Sequence, residues 1–235
     1  MTHDSPSHGE SAPASADRLD PQRATLSQAA EQLGLALSTG EIDKLLGHLS
    51  MLARWNRVYN LTALREPHEM LGHHLIDCLS AVPALRRHAA GRALSVLDVG
   101  SGGGLPGVVF AVLQPDWPVT CVDTVGKKAG FIRQVAVDLK LRNLQAVHSR
   151  VEAMPQRGGH DLITSRAFAS LADFVSLTRS QLAQSGVWLA MKGRQPDDEI
   201  AALPGDVEVF HVEQIDVPGL DAQRCLVWLR PAQGA

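Results

Sequence analysis

The feature that most constrains the fold is a glycine-rich segment at residues 98–107, which reads DVGSGGGLPG. It follows a short apolar run that is typical of a buried strand, and it precedes a stretch with helical periodicity. Glycines at 100, 102 and 104 allow the backbone to turn sharply and to approach a ligand where a Cβ atom would interfere. In a doubly wound α/β sheet, ligands bind at the carboxyl end of the first strand. The segment therefore predicts a strand–turn–helix ligand site.

From residue 93 to residue 235, the sequence predicts a single α/β domain. Short, nearly continuous apolar runs alternate with helical stretches, which indicates a parallel sheet of right-handed βαβ units buried on both faces. The runs lie at residues 94–99, 119–123, 144–148, 161–165 and 187–191. Two final runs, at 207–217 and 225–230, are too close together for a helical crossover and are predicted to be antiparallel. Parallel strands that end in such a hairpin are the layout of the Rossmann-like class I methyltransferase fold.

Residues 25–92 carry apolar side chains at helical spacing and predict a helical extension packed on that domain. Ser38 and Glu41 have the capping-box spacing and mark the start of the second helix. Pro67 is a favoured first helical residue for a third helix that runs to about residue 85. Residues 1–24 are rich in Ser, Pro, His and Ala, so they predict a disordered tail without the apolar segment of a signal peptide.

Two ligand classes are compatible with the glycine pattern alone. Gly102, Gly104 and Gly107 satisfy GxGxxG, the fingerprint of dinucleotide-binding loops. Asp98 and the terminal hairpin favour S-adenosylmethionine instead, because a carboxylate just before the first glycine can anchor the loop or meet the ammonium group of that ligand. A tight turn without any ligand is disfavoured, because so many glycines cost backbone entropy.

Two further places predict contacts to an adenosine. Asp123 ends the second predicted strand, where a carboxylate can accept hydrogen bonds from both ribose hydroxyls. The same side chain can instead cap the helix that follows, and the position does not distinguish S-adenosylmethionine from NAD. Val151 and Glu152 follow the third strand, in the loop that borders the adenine in this fold.

Several motifs in order resemble those of a known family. They are RWNRVYNLT at 54–62, HLID at 74–77, the glycine-rich segment, KK and FI at 127–132, SRA at 165–167 and KG at 192–193. The chain thereby resembles the small-subunit ribosomal RNA guanine-N7 methyltransferases, also called the glucose-inhibited division protein B family. The resemblance covers residues 25–230 and leaves the tail outside. Gly103 is a departure, because proline is common there in the family.

The resemblance implies a bacterial cytoplasmic enzyme that uses S-adenosylmethionine to methylate N7 of one guanine in the decoding-site hairpin of 16S ribosomal RNA. The substrate would be that RNA or a small-subunit assembly intermediate, and a monomer is expected. Asp123 matches the acidic ribose position of the family. Cofactor contacts carried over position by position are Gly100, Leu105, Val151, Glu152 and Arg166.

Methylation at N7 also indicates what catalysis requires. The guanine nitrogen attacks with a lone pair and loses no proton, so no general base is needed and the rate is expected to be independent of pH from about pH 6. Arg166 is the first candidate catalytic residue, expected to position guanine O6, a phosphate or the cofactor carboxylate. Lys192, after the fifth strand, is a second candidate for contacting the RNA. The cysteines show no zinc spacing, and no metal is expected.

The net charge of −3 is unusual for a protein that holds RNA by bulk electrostatics, so local basic patches are expected. The candidates are Arg54, Arg57, Arg65, Lys127, Lys128, Arg133, Lys140 and Arg142. Trp55 and Tyr59, four residues apart on a predicted helix, are expected in the core, with base stacking as the alternative. Residues 73–78 carry His, Asp and Cys at helical spacing and are expected to be an ordinary packed helix.

Two other functions stay open at this point. One is an S-adenosylmethionine-dependent methyltransferase of a small molecule, and the other is an NAD-binding or non-catalytic adenosine-binding protein. No apolar run approaches the roughly 20 residues that a membrane helix needs, so no membrane partner is expected.

Overall fold

The structure, a computed structural model, describes residues 16–155, 159–166, 168 and 170–232. The helices are α1 (Ala16–Gln32), α2 (Thr39–Tyr59), α3 (Pro67–Met70), α4 (Asp77–Leu79), α5 (Val82–Ala89), α6 (Gly107–Leu113), α7 (Gly126–Asp138), α8 (Leu171–Thr178) and α9 (Asp197–Ala201). A π-helical segment, Leu71–Ile76, joins α3 to α4. The strands are β1 (Val96–Val99), β2 (Val119–Asp123), β3 (Leu144–His148), β4 (His160–Ser165), β5 (Leu182–Lys192), β6 (Val207–Ile215) and β7 (Arg224–Pro231).

The strands form one sheet in the order β3-β2-β1-β4-β5-β7-β6. Pairing is parallel from β3 through β5, and β7 is antiparallel to both β5 and β6. The predicted mostly parallel sheet with a terminal antiparallel pair is therefore confirmed. Successive strands are added on one side of β1 as far as β3, and on its other side from β4 onwards. At this reversal of strand order, between β1 and β4, lies the crevice in which ligands of such folds bind.

Apolar side chains cover both faces of the sheet. Along β5, Val187 and Leu189 belong to one buried cluster, whereas Trp188 and Ala190 belong to a second cluster on the opposite face. All four residues of β1 are buried. This explains why the strands read as continuous apolar runs and not as an alternating pattern.

The capping box of α2 is present as predicted. The Ser38 amide donates to Glu41 Oε2 at 2.7 Å, and the Glu41 amide donates to Ser38 Oγ at 3.3 Å. At the other end, Asn60 adopts a left-handed conformation with φ of 50° and terminates the helix. The helix packs against α6 and α7, and thereby joins the helical extension to the α/β domain.

Two predictions about the helical extension are wrong in detail. Helix α1 begins at Ala16, so the predicted start at residue 25 is too late; the Ser- and Pro-rich composition is concentrated in residues 1–15, which lie outside the described residues. The predicted helix from Pro67 to residue 85 is divided, and α5 starts anew at Val82. Pro83 lacks the amide hydrogen that a continuous helix would direct to Leu79, which accounts for the division.

The approach of α6 to β1 and β2 requires glycine at 107. A Cβ atom there would lie 2.9 Å from Asp98 Oδ2 and would also overlap Cys121 Sγ, both in the core. We expect Gly107→Ala to lower the free energy of unfolding by about 1–3 kcal/mol, the usual cost of overpacking. Urea denaturation measures this change. Gly130→Ala, within α7 and with open space around its Cβ, is the matched control and should stabilise the protein by about 0.5–1 kcal/mol. Equal effects of the two substitutions would contradict the packing argument.

Candidate functional site

A cavity of about 440 Å³ lies at the carboxyl ends of β1, β2 and β3. It contains four of the predicted site residues: Gly100, Asp123, Val151 and Glu152. Lys128 and Phe168 also line it. These four residues, which the sequence analysis selected because they follow predicted strands, therefore lie together around one cavity.

Asp123 is held by two backbone amides. Its Oδ2 accepts a hydrogen bond from the Gly102 amide at 2.9 Å, and its Oδ1 accepts one from the Val125 amide at 2.8 Å. The side chain thus ties the glycine loop to the start of α7. Each carboxylate oxygen has a further lone pair, so these bonds leave Asp123 able to accept hydrogen bonds from a ligand in the cavity.

The glycines of the loop have two different roles. Gly100 has φ of 69°, and a Cβ atom built on it would meet nothing within 4 Å. Its lack of a side chain keeps part of the cavity open. Gly104 has φ of 81°, and a Cβ atom there would lie 2.6 Å from Val108 Cγ2. Gly104 is therefore required by backbone conformation and by close packing. The Gly102 amide donates a hydrogen bond to Asp123 and so holds the loop.

Asp98 lies beneath the loop and is fully buried. Its Oδ2 accepts a hydrogen bond from the Gly107 amide at 2.9 Å, while its Oδ1 has no hydrogen-bond partner among the described residues. Burial raises the pKa of Asp98 to about 6. Of the two roles that the sequence offered for Asp98, the structure supports anchoring of the loop. Leu105 is likewise buried, in the core below the loop.

Arg166 lies in a second cavity, of about 320 Å³, together with Lys192 and Arg224. Its Nη1 donates to the carbonyl oxygen of His73 at 2.8 Å and to Asp77 Oδ2 at 3.3 Å. The guanidinium is therefore fixed by the π-helical segment and by α4. Arg166 does not line the 440 Å³ cavity with Asp123. Ala167, the last residue of the SRA motif, lies outside the described residues.

His74 is the second support of Arg166. Its Nδ1 lies 3.3 Å from Arg166 Nη2, and its Nε2 lies 2.9 Å from Thr62 Oγ1. Burial, followed by the positive charge of Arg166, lowers the pKa of His74 to about 4. The ring is therefore neutral at physiological pH, with Nδ1 accepting from the arginine. Asn56 extends this series of hydrogen bonds, because its Oδ1 accepts a hydrogen bond from the Thr62 amide at 2.8 Å.

Asp77 bridges two arginines, a role that the sequence did not indicate. Besides Arg166, it accepts a hydrogen bond from Arg224 Nε at 2.6 Å on Oδ1. Its side chain is 5% exposed, and each arginine side chain is 23% exposed. Residues 73–78 are helical and packed as expected, but Asp77 has the further role of joining the two arginines. The available signal was the acidic residue of the HLID motif, which lies in a largely buried helical run.

Lys192 is already paired. Its Nζ lies 2.8 Å from Glu199 Oε2, and its side chain is 16% exposed. Glu199 Oε2 also accepts a hydrogen bond from the Leu171 amide at 2.8 Å. The ammonium group at the end of β5 is thus held at the rim of the second cavity by α9.

Within the residues that the structure describes, no cluster of His, Cys, Asp and Glu side chains is arranged to hold a metal ion. Among the same residues, no helix has the length and apolar character to cross a membrane.

The sheet order, the glycine loop after β1 and the acidic residue at the end of β2 define a class I methyltransferase fold. The model of the GidB family, described as rRNA small subunit methyltransferase G, matches residues 41–227. The chain belongs to this family, as the sequence motifs indicated.

Relatives named Ribosomal RNA small subunit methyltransferase G match nearly the whole chain. The protein of Acidovorax sp. (strain JS42) is 58% identical over 214 residues, which cover 88% of this chain and 94% of the relative. The protein of Leptothrix cholodnii is 57% identical over 213 residues, which cover 91% and 97% respectively.

Solved structures of more distant methyltransferases share the fold. A SAM dependent methyltransferase from Aquifex aeolicus has a TM-score of 0.54 and 17% identity, covering 74% of this chain and 97% of its own. The N-methyltransferase NodS from Bradyrhizobium japonicum, in complex with S-adenosyl-l-homocysteine, has a TM-score of 0.52 and 14% identity, covering 77% and 100%. At such identities the likeness concerns the fold alone.

The buried Asp98 carboxyl predicts a pH-dependent stability. Its pKa of about 6 exceeds the value of about 3.9 for an unfolded chain, so the folded state binds the proton more tightly. The resulting stabilisation is present below about pH 4 and is lost as the pH rises through 6. The difference in free energy of unfolding between the wild type and Asp98→Asn should therefore change with pH. From about pH 5 to about pH 7.5 the wild type should lose roughly 1 kcal/mol relative to the variant. Urea denaturation of both proteins at the two pH values measures it, and a constant difference would contradict the raised pKa.

Proposed function

We propose that this chain transfers the methyl group of S-adenosylmethionine to N7 of a guanine in the decoding-site hairpin of 16S ribosomal RNA. The observation that carries the proposal is membership of the rRNA small subunit methyltransferase G family over residues 41–227. The cytoplasmic RNA, free or within a small-subunit assembly intermediate, is the proposed substrate.

The 440 Å³ cavity has the chemistry to hold the adenosine end of the cofactor. Asp123 offers carboxylate oxygens for the ribose hydroxyls, and Gly100 leaves space that any side chain would fill. Val151 and Glu152 are proposed to border the adenine from the short helical turn after β3. The terminal antiparallel pair β6–β7 favours S-adenosylmethionine over NAD, because a dinucleotide dehydrogenase would continue the βαβ alternation.

When bound, S-adenosylmethionine supplies an electrophilic sulfonium methyl group. The protein then has to place the guanine in line with that methyl group, and N7 releases no proton. Arg166 suits this positioning task, because three partners hold its guanidinium and the group is always charged. His48 and His74 have pKa values lowered to about 4 by burial, so both rings are uncharged at neutral pH.

Methyl transfer to ribosomal RNA tests the proposal directly. Small subunits and their purified 16S RNA from a strain that lacks this enzyme are incubated with the protein and labelled S-adenosylmethionine, and the modified base is mapped. Label at N7 of a single guanine in the decoding-site hairpin is the expected result. Transfer to another atom or to no RNA at all would overturn it. Already methylated RNA from the parent strain is the control.

Loss of the Asp123 carboxylate should weaken cofactor binding. We expect Asp123→Ala to reduce the affinity for S-adenosylhomocysteine by about 1–3 kcal/mol, the scale for hydrogen bonds to a charged group. Isothermal titration calorimetry measures this loss, and RNA affinity should stay near the wild-type value. Asp161→Ala is the matched control, because Asp161 accepts a bond from the Ser95 amide at the opposite end of the sheet. A loss confined to RNA binding would show that Asp123 does not hold the ribose.

The chemical step should be independent of pH across neutrality. Asp98 has a pKa of about 6 and therefore changes charge between about pH 5 and pH 7. The pH range over which the methyl-transfer rate is expected to be constant therefore begins near pH 7 instead of pH 6. Arg166→Lys keeps the charge but loses the planar fork that contacts His73, His74 and Asp77, so single-turnover rates should fall by up to about 100-fold. The rate of methyl transfer could instead rise through neutral pH, and substitution of one histidine or carboxylate could abolish that rise. This result would indicate a general base and therefore a target atom other than N7.

A further inference from the structure

Two large apolar side chains, which are adjacent in sequence, are exposed at the carboxyl end of α2. Val58 is 70% exposed and Tyr59, the single tyrosine of the chain, is 40% exposed. The sequence placed Tyr59 in the core, and this expectation is wrong. Exposure alone does not mark a binding surface, so the contacts that hold the Tyr59 ring and the charge beside it carry the argument.

The ring of Tyr59 is supported from below. Its centroid lies 5.2 Å from that of Trp55, which in turn lies 5.4 Å from the fully buried Phe131 of α7. These contacts join α2 to α7 and limit the motion of the exposed ring. A ring held in place in this way loses little entropy when a second flat group stacks on it.

A lysine lies beside the same ring. Lys127 Nζ lies 6.0 Å from the Tyr59 ring centroid, and Arg54 and Arg57 are exposed on the last turns of α2. Lys128, the next residue of α7, lines the 440 Å³ cavity. The cation beside the ring is therefore the immediate sequence neighbour of a residue that lines the cavity proposed to hold the cofactor.

We propose that Tyr59 and Lys127 form a stacking platform for the substrate RNA, in which the ring stacks on a base near the target guanine and the ammonium group contacts a phosphate. This inference rests on the proposed function. An aromatic ring beside exposed cations suits single-stranded RNA, since bases stack on the ring and the cations neutralise phosphates. An apolar protein partner would not require the cation beside the ring.

Substitutions at Tyr59 test the platform on the full-length protein with small subunits that lack the modification. Tyr59→Ala and Tyr59→Leu should weaken binding of the subunits by about 5-fold to 100-fold, the scale for one stacked base. Tyr59→Phe keeps the ring and should bind as the wild type does. Val58→Ala is the matched control for loss of an exposed apolar side chain. Affinity for S-adenosylhomocysteine should be unchanged in all four, which also verifies that they are folded.

Salt dependence separates the two halves of the platform. Lys127→Gln should reduce the dependence of log affinity on log salt by about one unit, because one phosphate contact is lost. Tyr59→Ala should leave that slope unchanged, because stacking releases no counterion. A photo-crosslinking phenylalanine analogue at position 59 should crosslink to 16S RNA.

Three results would overturn the platform. Wild-type affinity of both Tyr59→Ala and Tyr59→Leu would overturn it alone and leave the proposed function intact. Crosslinking from position 59 only to ribosomal proteins would show that the surface binds protein instead. A wild-type protein that binds neither small subunits nor their RNA would overturn the platform and the proposed function together.

Discussion

The hydrogen bond from the Gly107 amide to the buried Asp98 carboxylate is the interaction on which the site depends. It fastens the start of α6 to the end of β1, and the glycine loop spans the residues between them. The contact is possible only because residue 107 has no side chain. A buried carboxylate is costly, which is why its pKa is raised. The carboxyl group lies where the glycine loop is held beneath the 440 Å³ cavity.

A second buried carboxylate performs a similar task beside it. Asp77 joins Arg166, at the end of β4, to Arg224, at the start of β7. A buried ion pair is weak evidence for stability, because removing charges from water costs about as much as their attraction returns. Its consequence here is geometric. The helical extension, through Asp77 and His74, determines where the Arg166 guanidinium points, so the extension forms part of the site.

The strands and the first cavity were predictable from the sequence because both depend on local patterns. The bounds of β2 and β3 agree with the apolar runs, and Gly100 and Asp123 follow from the strand ends. The Asp77–Arg224 pair was not predictable, because its members are 147 residues apart and no local pattern relates the HLID motif to Arg224. Tyr59 was misplaced for a related reason. Helical periodicity identifies the face of α2 that carries Trp55 and Tyr59, but it does not indicate where α7 stops covering that face.

The acidic net charge of the chain becomes compatible with an RNA substrate once the local charges are counted. In the second cavity and its rim, Arg166, Arg224 and Lys192 supply three positive charges, while Asp77 and Glu199 supply two negative ones. The net charge of these five side chains is +1 (3 − 2), which is too small for strong bulk attraction of RNA. The cations of this cavity are therefore better suited to orienting a bound group than to attracting it from a distance. Proteins that bind RNA with few net charges must rely on shape and on stacking of unpaired bases. An exposed tyrosine that is held by two buried or half-buried rings supplies such an uncharged contribution. In the proposed binding mode, fixed cations orient the RNA and an aromatic surface adds affinity without a basic composition.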